Sequence, residues 1–238
     1  MSNKIKYKGN TIFYDIIRKN VKNINIRVQP NGFVMVSASE EVPEKVIEIL
    51  IIKRAEWILK TIKKYSSNIK LLTEPDLKFI DGENFTLLGK NLRIKKVQAE
   101  EFKISFDNNY LYVFLTDNRG IKAKFKKWYD NLIASIFLEI SDNVYKSFKK
   151  YDVQMPQIQI LTMTTRWGTC NKTKNLILLN RHLIKAPKHL IEYVIAHEFS
   201  HLIFHNHSKE FYSFLTVLMP DWRDREIELN QMFLKKKL

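Results

Sequence analysis

Four of the chain's six histidines fall within eleven residues, His197-Glu198-Phe199-Ser200-His201-Leu202-Ile203-Phe204-His205-Asn206-His207. His197 and His201 are four apart, so on a helix both imidazoles leave one face about one turn apart. Two nitrogens so placed can share one metal ion at about 2.0–2.1 Å each. Glu198, displaced about 100° around the helix, then stands beside the ion, where a carboxylate can take a proton from metal-bound water. This is the His-Glu-x-x-His pattern of zinc metalloproteases. It arises by chance in about 1% of chains of this length and composition, so its context matters. The preceding Leu190-Ile191-Glu192-Tyr193-Val194-Ile195-Ala196 is apolar and opened by Pro187, as in a buried helix rather than a surface helix with stray histidines.

Catalytic zinc takes three protein ligands and leaves a fourth place for water. His205 continues the stripe but lies about 12 Å along the axis from His197, too far to share the ion. On an unbroken helix His207 would point about 240° away from His201. A helix running from Pro187 to about His205 and ending there frees His207 to fold back, because Asn206 tolerates the left-handed conformation. His207 is the expected third ligand, with Glu210 or Glu226 as alternatives. The spacing His-Glu-x-x-His-x5-His equals that of metzincins, although Phe204 occupies the place of their turn glycine. The expected activity is zinc-dependent peptide hydrolysis, with Glu198 as general base.

The elements that must position these groups follow from periodicity. Ile12 to Ile17, Asn25 to Val28 and Phe33 to Val36 alternate as strands, with Pro30-Asn31-Gly32 as a hairpin turn. A helix is expected over about 43–65, and strands return from Lys78 to about Thr116. A long amphipathic helix over 120–150 presents Phe125, Trp128, Tyr129, Leu132, Ile133, Ile136 and Phe137 on one stripe. Its Lys122, Lys124, Lys126 and Lys127 read as a solvated face. Short apolar strands at Gln157 to Met163 and Leu176 to Leu179 precede the histidine helix, and two shorter helices follow from Ser208 and Asp221. No internal repeat is visible. The fold class is α+β, a strand-rich N-terminal region (1–117) followed by a mainly helical zincin-like region (118–238).

Composition limits the partners. The 238 residues carry 40 Lys+Arg against 25 Asp+Glu, a formal +15, and 45% are hydrophobic. Six glycines and six prolines exclude long linkers and low-complexity segments. One cysteine excludes an internal disulfide framework and fits a reducing compartment. No apolar run reaches signal-peptide or membrane length, so a soluble, cytoplasmic protein is expected. The charge admits nucleic acid as a partner, but 31 of the 40 basic residues are Lys, whereas Arg is favoured for phosphate.

Several motifs together resemble the YgjP-like metallopeptidase family, which is related to SprT-like proteases. They are Arg166-Trp167-Gly168-Thr169-Cys170, Leu176 to Asn180, Tyr193 to Leu202, Asn206 to Phe211 and Leu218-Met219-Pro220-Asp221-Trp222. Ile26-Arg27-Val28, Glu56-Trp57-Ile58 and Asp81-Gly82-Glu83 through Gly89-Lys90 extend the similarity toward the N-terminus. Thr169 stands where the family has serine. The resemblance implies a zinc peptidase fold with His197, His201 and His207 as ligands and Glu198 as acid/base, and it supplies no substrate.

Substrate-binding candidates are Arg166 and Tyr193, either of which can stabilise an oxyanion, with Trp167 as a core residue or cleft wall and Asn180 beside an edge strand open to peptide pairing. Cys170 reads as a small buried residue at a tight turn, and His189 as an exposed helix residue. The rival functions are a nucleic-acid-associated, SprT-like protein acting on DNA-bound proteins, and a metal-binding module without turnover.

Overall fold

Period-two alternation in the first forty residues produces a sheet with two different faces. In a computed structural model that describes residues 3–28, 33–69, 77–163 and 166–234, the sheet comprises β1 (Asn3–Tyr7), β2 (Asn10–Arg18), β3 (Asn25–Val28) and β4 (Val34–Ala38). Their order is β1-β2-β4-β3, with β2 and β4 parallel and the outer pairs antiparallel. The expected turn at Pro30-Asn31-Gly32 lies outside the described residues. Strand β1 was not anticipated, although Ile5 and Tyr7 alternate with Lys4 and Lys6 over its five residues. Ile12, Tyr14, Val34 and Val36 point one way and form a core with Ile47, Ile51, Ala55 and Ile58. Those last four belong to α1 (Glu44–Lys53) and α2 (Ala55–Ile69), which replace the single expected helix. The break is Arg54, at φ −100° and ψ 6°. Phe13, Asp15 and Met35 point the other way.

The second sheet holds β5 (Asn84–Leu87), β6 (Lys90–Gln98), β7 (Lys103–Phe106) and β8 (Tyr110–Leu115) in the order β5-β6-β8-β7. Its central pair is again parallel and its outer pairs antiparallel. Both sheets open on a two-residue turn with positive φ at both positions, Lys8 (46°) and Gly9 (78°) in one, Leu88 (49°) and Gly89 (79°) in the other. The chain therefore uses one β-motif twice. Only the hydrophobic pattern and the turn glycine are shared, which is why no sequence repeat shows.

The second sheet packs on α3 (Ile121–Phe148), whose Phe125, Tyr129, Ile133, Ile136, Phe137, Ile140, Val144 and Phe148 are buried at helical spacing. Full burial of one such side chain contributes about 1.5–3 kcal/mol. The four lysines of its first turns are exposed. This larger core runs on through a third sheet, β10-β11-β9, made of β9 (Gln157–Leu161), β10 (Gly168–Asn171) and β11 (Leu176–Asn180). It ends on α4 (Lys188–Ser200), α5 (Lys209–Leu218) and α6 (Trp222–Leu234). The architecture is thus mixed α+β, with three small sheets and six α-helices among the described residues.

Helix α4 is gripped around its N-terminal half. Leu88 and Gly89 donate their backbone N–H groups to Ile184 and Lys185 carbonyls, each at 2.9 Å, just before the helix begins. A Cβ on Gly89 would sit 2.6 Å from Pro187 Cγ, so the close approach requires glycine as much as the positive φ does. On the outer face, Arg225 of α6 binds Glu192 at 2.7 Å and His189 meets Glu228 at 2.7 Å. The helix is shorter than its sequence suggests, stopping at Ser200 rather than His205. Ser200 Oγ donates to the Ala196 carbonyl at 2.8 Å, and His201, Leu202 and Ile203 tighten into i→i+3 bonds.

Candidate metal centre

The early end of α4 decides the geometry of the histidines. His197 and His201 share the helix face, with ring centroids 5.0 Å apart. The chain then reverses through Phe204, and His207 returns to within 4.8 Å of His197 and 4.6 Å of His201, centroid to centroid. His205, released from the helical stripe, is exposed at the cleft mouth. Ser208 caps α5, accepting from the Phe211 N–H at 3.4 Å, which fixes the residue following His207. Phe211 lies beneath all three imidazoles at 4.7–5.1 Å. Tyr212 stacks on His207, and Trp222 on Tyr212.

One nitrogen from each of His197, His201 and His207 lies within 4.8 Å of the others, and the His207 and His197 Nε2 atoms are 2.8 Å apart. Tetrahedral zinc with nitrogens at about 2.0–2.1 Å spaces them about 3.3 Å apart, so the donor set fits such an ion. Two of the three remaining ring nitrogens are engaged. His201 Nδ1 donates to the Phe204 carbonyl at 3.1 Å, leaving Nε2 to face the site. His207 Nδ1 donates to Asp15 Oδ2, from β2 of the first sheet. Burial holds His197 far below the usual imidazole range, with His207 and His201 adding to the effect. Burial takes His201 down to about 3, so both rings stand in the unprotonated form that binds metals. Neither Glu210 nor Glu226 joins the group. Glu210 is exposed and hydrogen-bonded to Ser208 at the start of α5. Glu226 lines the cleft, its carboxyl raised by burial against the opposing charges of His207 and Arg27.

Glu198 lines the same cleft, of about 740 Å³. Burial pushes its carboxyl up to about 8, opposed by Arg166 and reinforced by Asp15. Gly168 of β10 covers it so closely that a Cβ there would come 2.7 Å from Glu198 Cγ. Among the sequence-derived candidates, Arg166, Trp167 and Tyr193 do line the cleft. The Arg166 guanidinium lies 4.1 Å from the Phe13 ring centroid and 5.7 Å from that of Phe33. Trp167 is buried in the wall, and the Tyr193 ring is edge-on to His197 at 6.0 Å.

Asn180 is elsewhere. Its strand, β11, is the middle strand of its sheet, and β10 and β9 form the edges. The Asn180 amide is buried, donating to the Met163 and Arg166 carbonyls at 2.8 and 2.9 Å and accepting from His182 N at 3.2 Å. It staples the loop that carries Arg166. Cys170 sits in β10 opposite Ile177 rather than at a tight turn, and burial pushes its thiol up to about 12.

Sequence reasoning missed Asp15, Phe211 and Gly168. An acidic residue inside the apolar run from Ile12 to Ile17 is a legible signal for the first, because such a carboxylate is buried only with a partner.

Three imidazoles converging beside a buried carboxyl in an open cleft define a candidate mononuclear metal centre of the hydrolytic class. The family comparison agrees: the model of the YgjP-like metallopeptidase domain matches residues 22–232. The chain belongs to the YgjP-like family. No curated protein matches it. No described helix is long and apolar enough to cross a membrane.

Proposed function

We propose that the protein is a zinc metallopeptidase, with His197, His201 and His207 holding the ion and Glu198 as general base. The observation that carries this reading is the three-nitrogen group within 4.8 Å, set beside Glu198 in the cleft. Zinc held there would supply Lewis acidity toward water and the scissile carbonyl. Glu198, its carboxylate form favoured by a cation held beside it, accepts the proton of the attacking water and delivers it to the leaving amine, so one water and one peptide bond yield a carboxylate and an amine. Gly168 keeps Glu198 in place, and Phe211 supports the ligand rings. Arg166 faces the same space and is available to a carboxylate or developing oxyanion of the substrate, with Trp167 and Tyr193 shaping the wall. The arrangement of α4 and the chain after it reads as zincin-like.

The test is a pair of variants assayed against a proteome-derived peptide library. Glu198→Gln retains zinc and loses hydrolysis, whereas His201→Ala loses both. Full activity in purified Glu198→Gln protein overturns the mechanism.

A second reading keeps the site and changes the substrate to DNA-bound protein. It is favoured by Lys4, Lys172 and Lys174 along the cleft, together with the net charge. Steeply salt-dependent DNA binding supports it, and no binding at low salt ends it.

A further inference from the structure

Strand β2 faces two ways. Ile12 and Tyr14 are built into the core of the first sheet, while Phe13 and Asp15 emerge on the opposite face, against the metal centre. Asp15 is 4% exposed and Met35, its register partner on β4, is 6% exposed. A carboxylate is buried this deeply only where a donor meets it, and here the donor is His207 Nδ1. The same face of the sheet seats Arg166 on the Phe13 ring. Phe33, just ahead of β4, stands edge-on to His207 at 6.2 Å. His207 sits in the irregular stretch between α4 and α5, where helical geometry does not set its ring, unlike those of His197 and His201.

We infer that the N-terminal sheet is part of the metal centre: Asp15 is the positioning residue for His207, and metal binding and seating of the sheet are one linked equilibrium. The inference rests on the zinc reading above. A carboxylate on the far nitrogen of a ligating imidazole fixes its tautomer and ring orientation and raises its basicity. Here that carboxylate belongs to a different sheet with its own core, so anything that lifts the sheet also releases the third ligand. Linkage makes the relation reciprocal: if the seated sheet tightens the metal, the metal tightens the sheet by the same factor.

The experiment uses the full chain and two readouts independent of activity. Zinc affinity is measured by competition with a chromophoric chelator in wild type, Asp15→Asn and Asp15→Glu. Outer carboxylates of this kind affect metal affinity about 10–100-fold, and that loss is expected for Asp15→Asn, with partial recovery in Asp15→Glu. The visible spectrum of the cobalt(II)-substituted protein shifts in Asp15→Asn, as a merely structural substitution would not make it do. Hydrogen exchange of β2 in wild type, with and without zinc, needs no variant, so failure of Asp15→Asn to fold leaves the test intact. Zinc is expected to slow exchange across Asn10–Arg18. Unchanged zinc affinity in folded Asp15→Asn, or β2 exchange indifferent to zinc, overturns the inference. Wild type that binds no zinc overturns the zinc reading itself.

Discussion

Gly168 lies against Glu198 so closely that a methyl group on it would meet three atoms of the carboxylate side chain, Cγ at 2.7 Å, Oε1 at 3.0 Å and Cδ at 3.1 Å. Real Cβ atoms essentially never come as close as the shortest of these, so a side chain there forces Glu198 or the strand to shift. The glycine of the Trp167-Gly168-Thr169-Cys170 motif is therefore a spacer for the Glu198 side chain.

Gly168→Ala is expected to move Glu198 while leaving the three histidines alone. A displacement of about 1 Å at a reacting group costs about 100-fold in rate. Peptidase assays should show that fall in kcat, and metal analysis should show zinc content unchanged. Loss of zinc instead would mean that β10 supports the ligands rather than the base.

His182 gives the fold a dependence on acid. It is 8% exposed, and burial, then Lys185 and Arg181, takes its imidazole down to about 4 from the usual 6.5. The unfolded chain therefore binds a proton between about pH 6.5 and 4 that the folded chain refuses. Stability present above pH 6.5 is lost as the pH falls through this window, by at most about 1.4 kcal/mol per pH unit for one proton. Urea unfolding of His182→Gln, with chelator present, should show an acid limb shallower by up to that amount. Identical limbs would remove His182 from the account.

Asn180→Ala should damage stability far more than substrate binding. The substitution leaves the Met163 and Arg166 carbonyls without their donors, at about 1–3 kcal/mol for each group left buried and unsatisfied. Thermal unfolding should shift downward while KM stays near wild type. A large rise in KM at unchanged melting temperature would return Asn180 to the substrate site.

Much of the site is readable from residue spacing, and the unread part has a common cause. The i, i+4 pair His197 and His201 follows from helical geometry alone, and so does the position of Glu198 between them. The return of His207 depends on where α4 stops, which was placed one turn too late because Leu202, Ile203 and Phe204 continue an apolar pattern after Ser200 has turned back on Ala196. Asp15 is a different kind of omission. It is separated from His207 by 192 residues, and no local periodicity reports a contact made across two cores. The third sheet shows the same limit: β11 is apolar enough to be recognised as a strand, but its central place depends on β10, whose Gly168-Thr169-Cys170-Asn171 has no strand signal. The repeated β-motif is hidden for a related reason, since a hairpin turn and alternation constrain residue types without fixing them.

The distance between Asp15 and His207 along the chain also sets an order of events. Synthesis delivers the carboxylate among the first residues and the imidazoles only in the last fifth of the sequence. Closing so long a loop is among the slower steps open to a folding chain. A nascent or half-folded copy lacks the contact between Asp15 and His207. In the peptidase reading proposed above, the cutting edge is complete only once the two distant parts of the chain have met.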